Sequence, residues 1–352
     1  MSDARIAHLD RLVQVTYRTS TGLAISRTPF RISFFGGGTD FPHWYNENGG
    51  AVLSATIDKY CYISCRVLPP FFEHKYRIVY SRTEQTSSID EIIHPAVRET
   101  LRFLNIQEGL EIHHDGDLPA RSGLGSSSAF TVGLLHALYS LKGKMVSKRR
   151  LAMEAIHIEQ NMIKENVGSQ DQVAAAYGGL NQIQFSGDNG IDVKPVILPK
   201  SRYIEFQNHL MLFYSGFSRS ASDIERDKIQ NIQFVKEELA TLKEMVNSAL
   251  DILCNDKSVT EFGKLLDEAW KIKRKLSKRV SNSFIDHVYT IAKENGALGG
   301  KVLGAGGGGF ILFFVPPDER QRLEDALNFL LHVPFKFDNT GSQIIYYDGG
   351  EE

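Results

Sequence analysis

The chain has 352 residues, of which 42% are hydrophobic and 23% are charged, and its formal net charge at pH 7 is -2. This near balance of charge argues against nucleic acid or an anionic membrane surface as a partner. A chain of this length is long for one compact core, so we expect two domains that share a cleft.

Cysteine content and hydropathy indicate the cellular compartment of the protein. Cys61, Cys65 and Cys254 are too few for a disulfide framework. Cys61 and Cys65 lie in an apolar strand-like run without a second pair of metal ligands, so we interpret them as buried thiols rather than zinc ligands. No signal peptide and no run of about eighteen apolar residues are apparent, which predicts a soluble protein in the cytoplasm.

The first third of the chain begins with a polar, weakly patterned extension over residues 1–22. A β-rich run over residues 23–35 follows and ends at Gly36-Gly37-Gly38-Thr39-Asp40. The three glycines remove side chains where a ligand could approach the backbone, and Arg31 and Asp40 lie on either side of this gap. A bulged turn with a surface ion pair would give the same pattern.

A Gly/Ser loop, Pro119 to Ser128, joins a predicted strand at 110–114 to a predicted helix at 130–141. The free N–H groups and the dipole of a helix N-terminus attract anions, and glycines let the backbone approach a phosphate closely. The lysine of a Walker motif is missing. A simple capping turn is the alternative interpretation.

Two further segments carry candidate chemistry. Residues 148–165 have helical spacing and include Glu159, and Asp171 follows between a glycine turn and a helix of small residues. Either acid could instead be solvated or cap a helix. Later, the glycine-rich run 299–309 satisfies G-x-G-x-x-G, but a strand follows at once, so we predict a hairpin close to another loop rather than a dinucleotide site.

The remaining elements are predicted from periodicity. Strands are expected at 51–68, 75–82, 180–185, 193–198, 210–214, 333–337 and 342–347, and helices at 94–104, at 318–331 and within 222–279. The last two strands are expected to close the second domain. The basic residues between Lys271 and Arg279 are interpreted as a solvated helix face rather than a nucleic-acid site.

The segment Pro119 to Ala129 resembles the P-x-x-x-G-L-G-S-S-x-A motif of the GHMP kinases, a family named for galacto-, homoserine, mevalonate and phosphomevalonate kinases. Pro29-x-Arg31, with Thr39-Asp40 downstream, is similar to the first motif of the galactokinase-like members. Gly168-x-x-Asp171-Gln172 is similar to their catalytic segment, and the run at 299–309 to their third motif.

The resemblance implies an α+β, two-domain fold with the active site in the cleft between the domains. The N-terminal domain would be ribosomal-S5-domain-2-like and span residues 23–199, and a ferredoxin-like C-terminal domain would span 200–352. It also implies ATP and Mg²⁺ as cofactors and a sugar or sugar phosphate as substrate.

The family's functional residues fall on named positions. Asp171 would orient or deprotonate the attacking hydroxyl, Arg31 would stabilise negative charge, and Ser127 and Glu159 would hold Mg²⁺. ATP would be bound by Pro119, Arg121, Ser122, Gly123, Leu124, Gly125, Ser126, Ser127 and Ser128. The sugar would be bound by Gly36, Gly37, Gly38, Thr39, Asp40, Arg219, Gly306 and Gly307.

One departure from galactokinases bears on the substrate. Galactokinases carry Gly-Glu-His where this chain has Gly36-Gly37-Gly38, so Gly37 leaves room and removes a negative charge. The G-G-G-T-D form is similar to the heptose 7-phosphate kinases of the family, which implies phosphorylation of an anomeric hydroxyl. A galactokinase- or L-fucokinase-like enzyme and a non-catalytic sugar sensor are the alternatives. Arg31, Ser127, Glu159 and Asp171 are all present, which favours an enzyme.

Overall fold

The computed structural model describes residues 22–69, 71–120, 122–187, 190–216 and 235–349. Among these residues, the strands form one nine-stranded and one four-stranded sheet. The strands are β1 Leu23–Phe35, β2 Gly50–Val67, β3 Tyr76–Val79, β4 Thr83–Thr86, β5 Leu110–Gly116, β6 Leu180–Ser186, β7 Gly190–Pro195, β8 Leu210–Tyr214, β9 Gly299–Val302, β10 Phe310–Phe314, β11 Leu331–His332, β12 Phe337–Asp338 and β13 Gln343–Asp348.

The α-helices alternate with these strands and carry the apolar periodicity expected of helices packed on a sheet. They are α1 Pro42–Asn48, α2 Pro95–Phe103, α3 Ser126–Leu141, α4 Lys148–His157, α5 Gln170–Tyr177, α6 Lys200–Asn208, α7 Lys236–Cys254, α8 Thr260–Lys273, α9 Ser283–Glu294 and α10 Arg320–Ala326. The described ranges also contain a 3₁₀ turn at Ile89–Glu91 and a π-helix at Ile158–Met162.

The larger sheet is built around β1 and β2, which pair antiparallel along most of their length. Its main path runs in the order β13-β1-β2-β5-β3-β4, and β6 pairs with the first half of β2. Helix α3 is buried on most of its sides, from Ser128 through Leu138, as its nearly continuous apolar sequence requires. Burial of this helix fixes the position of the Gly/Ser loop that precedes it.

The smaller sheet has the antiparallel order β11-β8-β10-β9. Strands β9 and β10 form the hairpin predicted for the glycine-rich run, with Ile311 opposite Val302. The predicted domain boundary, at residue 199/200, coincides with the start of α6. The division into two domains at this residue stays a prediction.

The end of the chain departs from the expected arrangement. The sequence placed strands 333–337 and 342–347 in the second domain, but the structure pairs β12 with β2 and β13 with β1 in the larger sheet. The hydroxyls of Thr28 and Ser342 lie 2.8 Å apart and join the two ends of the chain. Short strands do not reveal their partners from periodicity, because pairing is decided by tertiary contacts.

The structure also bears on the cysteines and on the hydropathy of the helices. Cys61 and Cys65 are buried free thiols on β2, as predicted, and burial raises the pKa of both. Within the described ranges, no helix is long and apolar enough to cross a membrane.

Candidate active site

A cleft of about 470 Å³ lies where β1, the Gly/Ser loop and α5 meet α7, α8 and the β9–β10 hairpin. Its lining includes many residues that the sequence analysis selected as functional. They are Arg31, Gly36, Gly37, Gly38, Asp40, Gly123, Gly125, Ser126, Ser127, Ser128 and Asp171. These segments are far apart in the sequence, so the fold assembles them into one site.

Arg31 and Asp171 form a two-pronged ion pair at the centre of the cleft. Arg31 Nε donates to Asp171 Oδ1 at 2.8 Å, and Arg31 Nη2 donates to Asp171 Oδ2 at 2.6 Å. The arginine side chain is buried, whereas that of Asp171 is partly exposed to the cleft. This fork geometry fixes the carboxylate in place, so one of its oxygens can meet a substrate proton without reorientation.

The Gly/Ser loop passes directly over this ion pair. The third arginine nitrogen, Nη1, donates to the Gly123 carbonyl at 2.7 Å, and the Arg31 backbone N–H donates to the Leu124 carbonyl at 3.0 Å. A Cβ atom on Gly125 would lie 3.3 Å from Asp171 Oδ2. Gly123 and Gly125 have φ values of 88° and 76°, in the left-handed region that favours glycine.

The β9–β10 hairpin closes the other side of the loop, as the sequence predicted. A Cβ on Gly304 would lie 2.6 Å from the Gly123 Cα, and Phe310 N–H donates to the Ser122 carbonyl at 3.1 Å. Such close backbone approach requires glycine on both sides. The hairpin therefore sets the position of the Gly/Ser loop from outside.

Glu159 lies behind the loop rather than on the cleft wall. It is wholly buried in the π-helix, and its Oε2 accepts hydrogen bonds from Ser128 Oγ at 2.9 Å and Gln172 Nε2 at 2.5 Å. Burial raises the pKa of Glu159 to about 7, and the neighbouring hydroxyl and amide groups oppose the shift. Ser128 lies against this carboxylate. The residue predicted to share a magnesium ion with Glu159 is Ser127, which is exposed on the cleft wall.

The glycine segment after β1 holds Asp40 against the start of α5. Asp40 Oδ1 accepts from Gly38 N–H at 2.9 Å, and the Asp40 carbonyl accepts from Ser169 N–H at 2.8 Å. A Cβ on Gly168 would lie 1.9 Å from Asp40 Oδ2, so only glycine fits beside this carboxylate. Thr39 is buried and its hydroxyl donates to the carbonyls of Gly36 and Ala51, which is a structural role.

Two lysines line the cleft that the sequence analysis did not assign. Lys301 Nζ donates to the Phe34 carbonyl at 2.7 Å, and Lys273 Nζ donates to the Gly304 carbonyl at 2.7 Å. Both side chains are buried. The basic segment that contains Lys273 was predicted to be a solvated helix face, and the burial of Lys273 shows that this prediction is wrong for this residue. Its position three residues after the apolar Trp270 was the available signal, because that spacing places it on the inner face of α8.

Several predicted residues are not part of the described cleft lining. Arg121 and Arg219 are outside the described residues. Gly306 and Gly307 pack against Val280 and are not among the residues that line the cleft. Five other predicted residues also do not line the cleft but lie in or under the loops: Pro119, Ser122, Leu124, Thr39 and Glu159.

Comparison with known families gives two matches in chain order. The pattern described as GHMP kinases N terminal domain matches residues 91–179, and the pattern described as GHMP kinases C terminal matches residues 238–332. Together they span more than half of the chain. The first contains the Gly/Ser loop and Asp171, and the second contains the glycine-rich hairpin.

Characterised relatives cover most of the chain. A D-glycero-alpha-D-manno-heptose 7-phosphate kinase from Campylobacter jejuni is 28% identical over 86% of this chain and 92% of its own length. A galactokinase from Pyrococcus furiosus is 24% identical over 86% of this chain and 91% of its own length.

Solved structures share the fold. A protein from Bacteroides thetaiotaomicron, titled a D-glycero-D-manno-heptose 1-phosphate kinase, superimposes with a TM-score of 0.74 at 24% identity, covering 92% of this chain and 99% of that one. A galactokinase from Lactococcus lactis gives a TM-score of 0.66 at 18% identity, covering 96% and 99%. The predicted two-domain α+β fold is confirmed. Because both family patterns match in order and the fold agrees, the chain belongs to the GHMP kinases and is a phosphotransferase with an alcohol group as acceptor.

Proposed function

We propose that this protein is an ATP-dependent sugar kinase that phosphorylates the anomeric hydroxyl of D-glycero-D-manno-heptose 7-phosphate and forms the 1,7-bisphosphate. The observation that carries the proposal is the Arg31–Asp171 ion pair directly beneath the Gly/Ser loop in one cleft. The name of the Campylobacter jejuni relative supports the choice of acceptor, as does the absence of a side chain at Gly37.

The Gly/Ser loop would bind the terminal phosphates of ATP. The first N–H groups of α3 have no partner within the helix, and the positive end of the helix dipole lies at Ser126. The hydroxyls of Ser126 and Ser127 are on the cleft wall and can donate to phosphate oxygens. Serines here suit phosphate because they add donors without bulk.

The donor set behind the loop fits a magnesium ion. Glu159 Oε1 is buried without a hydrogen-bond partner among the described residues, and Oε2 is bound by the hydroxyl of Ser128, a residue that lines the cleft. Mg²⁺ in kinases is held by one or two carboxylates together with phosphate oxygens. Glu159 with Ser127 or Ser128 would hold it. When bound, the ion neutralises charge on the transferred phosphoryl group.

Asp171 and Arg31 would act on the acceptor side of the transfer. The hydroxyl oxygen attacks the γ-phosphorus, its proton passes to an Asp171 oxygen, and the bond from the γ-phosphorus to the bridging oxygen breaks to release ADP. Arg31 keeps the Asp171 carboxylate oriented and offsets the negative charge that builds up during the transfer. Positioning and charge neutralisation are most of what phosphoryl transfer needs.

A substrate panel tests the proposal. Purified protein with ATP and Mg²⁺ is assayed for ADP release with heptose 7-phosphate, galactose and L-fucose as acceptors. Turnover of heptose 7-phosphate with the highest kcat/KM is the expected result, and a product whose anomeric proton signal is split by coupling to phosphorus in the NMR spectrum identifies the position. Turnover of galactose without turnover of the heptose phosphate would reject the acceptor.

A second candidate is a galactokinase- or L-fucokinase-like enzyme. The observation that favours it is the Pyrococcus furiosus galactokinase, together with a bifunctional fucokinase from Arabidopsis thaliana that is 26% identical over 94% of this chain. The same panel separates these acceptors from the heptose phosphate. A non-catalytic sugar sensor is disfavoured because the Arg31–Asp171 pair is intact.

A further inference from the structure

Two buried polar side chains face the acceptor side of the cleft without hydrogen-bond partners. Ser33 on β1 is 5% exposed and Gln170 at the start of α5 is 9% exposed, and both line the cleft. Among the described residues, none offers a hydrogen bond to the Ser33 hydroxyl or to the Gln170 side-chain carbonyl. An unmet buried polar atom costs about 1–3 kcal/mol, so a ligand that completes both is a direct explanation.

The Ser33 hydroxyl and the side-chain amide group of Gln170 flank one open point above Gly37. A Cβ atom built on Gly37 would lie 3.7 Å from Ser33 Oγ and 3.9 Å from Gln170 Nε2. Because Gly37 has no side chain, that space is free for a ligand atom. Gln170 immediately precedes Asp171 in α5, and its backbone N–H donates to Asp40 Oδ2 at 3.4 Å. The open point therefore lies beside the reacting centre.

The hydrogen-bonding capacity of the pair selects the ligand group. The Ser33 hydroxyl can donate to a ligand oxygen, whereas the Gln170 carbonyl oxygen must receive a proton from the ligand. An alcohol satisfies both atoms at once, because it donates and accepts. A fully ionised phosphate oxygen only accepts, so it would leave the carbonyl unmet.

We propose that Ser33 and Gln170 together bind one hydroxyl of the acceptor, other than the hydroxyl that is phosphorylated, and so determine which sugars are accepted. This inference rests on the proposed function in requiring a polyhydroxylated acceptor. It does not depend on the acceptor being the heptose phosphate. The pair positions substrate and takes no part in proton transfer.

Steady-state kinetics of Ser33→Ala, Gln170→Met and the double variant test the proposal. Each single variant removes one neutral hydrogen bond and should raise the acceptor KM roughly tenfold, with the KM for ATP unchanged. Because both side chains bind the same hydroxyl, the double variant should raise the acceptor KM far less than the product of the two single effects. Ser33→Thr, which retains a hydroxyl, should restore most of the affinity.

Ser54→Ala is the matched control. Ser54 lies opposite Ser33 in the β1–β2 register, and its buried hydroxyl also lacks a partner among the described residues, but it does not line the cleft. Its kinetics should match those of the wild type. If the thermal melting curve shows that Ser33→Ala fails to fold, the acceptor KM of Gln170→Met alone tests the proposal.

The outcomes separate this inference from the proposed function. If heptose 7-phosphate is inactive but galactose or L-fucose is phosphorylated, the proposed acceptor fails and the variants are measured with the active sugar. An unchanged acceptor KM in Ser33→Ala and Gln170→Met, or multiplicative effects in the double variant, overturns the inference alone. Absence of turnover with every sugar of the panel overturns both.

Discussion

The two sides of the cleft differ in how their residues are arranged along the chain. The proposed phosphate side is a single continuous segment, Gly123 to Ser128, whose composition already indicates an anion site. The proposed acceptor side is assembled from β1 and α5, and its polar atoms come from residues such as Ser33 and Gln170 that look ordinary in the sequence. In this proposal one local motif forms the nucleotide site, whereas acceptor recognition depends on tertiary packing.

Asp171→Asn should produce the largest effect, because this residue lies between the two sides. The amide keeps the shape but cannot accept the hydroxyl proton, and it weakens the pairing with Arg31. We expect kcat to fall by about 10²–10⁴-fold while ATP affinity, measured by nucleotide titration, changes little. Unchanged turnover would remove Asp171 from the mechanism, and no residue would then connect the phosphate side of the cleft with the acceptor side.

Glu159→Gln should change how the stability of the metal-free protein depends on pH. Burial raises the pKa of Glu159 from 4.5 to about 7 in the native state. The wild type therefore loses stability as the pH rises from 4.5 through 7, because its unfolded state ionises first, and the loss reaches about 3 kcal/mol. A neutral glutamine does not incur this loss.

Urea unfolding in EDTA at pH 5 and pH 8 measures this effect. Relative to the wild type, the Glu159→Gln variant should gain about 2.5 kcal/mol between the two pH values, because part of the loss has already occurred at pH 5. Glu47→Gln, at an exposed position of α1, is the control for loss of one carboxylate. The same stability difference at both pH values would contradict a buried carboxylate behind the phosphate side.

Gly123→Ala tests the phosphate side alone. The alanine Cβ would lie 2.5 Å from the Leu303 carbonyl oxygen, at a φ of 88° that disfavours side chains. Gly143→Ala has a similar φ of 63° with nothing within 4 Å, so it isolates the backbone strain. We expect Gly143→Ala to cost about 1 kcal/mol of unfolding free energy and Gly123→Ala at least about 2 kcal/mol more, by denaturant titration. Equal costs would mean that the hairpin does not press on the loop.

Gly37→Ala tests the acceptor side and should have the smallest effect. Its Cβ meets only Ser33 and Gln170, at 3.7 Å and 3.9 Å, and no unusual φ is required, so the fold should be unaffected. The methyl group would fill the space assigned to an acceptor hydroxyl and should raise the acceptor KM roughly tenfold without changing the KM for ATP. An increase in the KM for ATP instead would place Gly37 on the nucleotide side.

The sequence predicted the parts of this molecule that are local. The Gly/Ser loop, the glycine-rich hairpin and the buried cysteines were each recognisable because the signal lies within a few residues. That Arg31 and Asp171 share one site followed only from the family resemblance, since the sequence itself gives no distance between them.

Tertiary features were beyond the sequence. The return of β12 and β13 to the first sheet, the burial of Lys273 and the contact of Ser128 with Glu159 depend on which surfaces pack together. Ser33 is a small residue within a strand and Gln170 is one amide among several, so neither stood out. Their lack of partners appears only when the surroundings are known.

A crystal structure with a non-hydrolysable ATP analogue and heptose 7-phosphate tests the central claim most directly. It should show the γ-phosphate against the backbone N–H groups of Gly125 to Ser127, and an acceptor hydroxyl within hydrogen-bond distance of Asp171. A nucleotide bound elsewhere, for example in the separate pocket lined by Arg149 and Lys243, with the Arg31–Asp171 pair out of reach of both ligands, would contradict it.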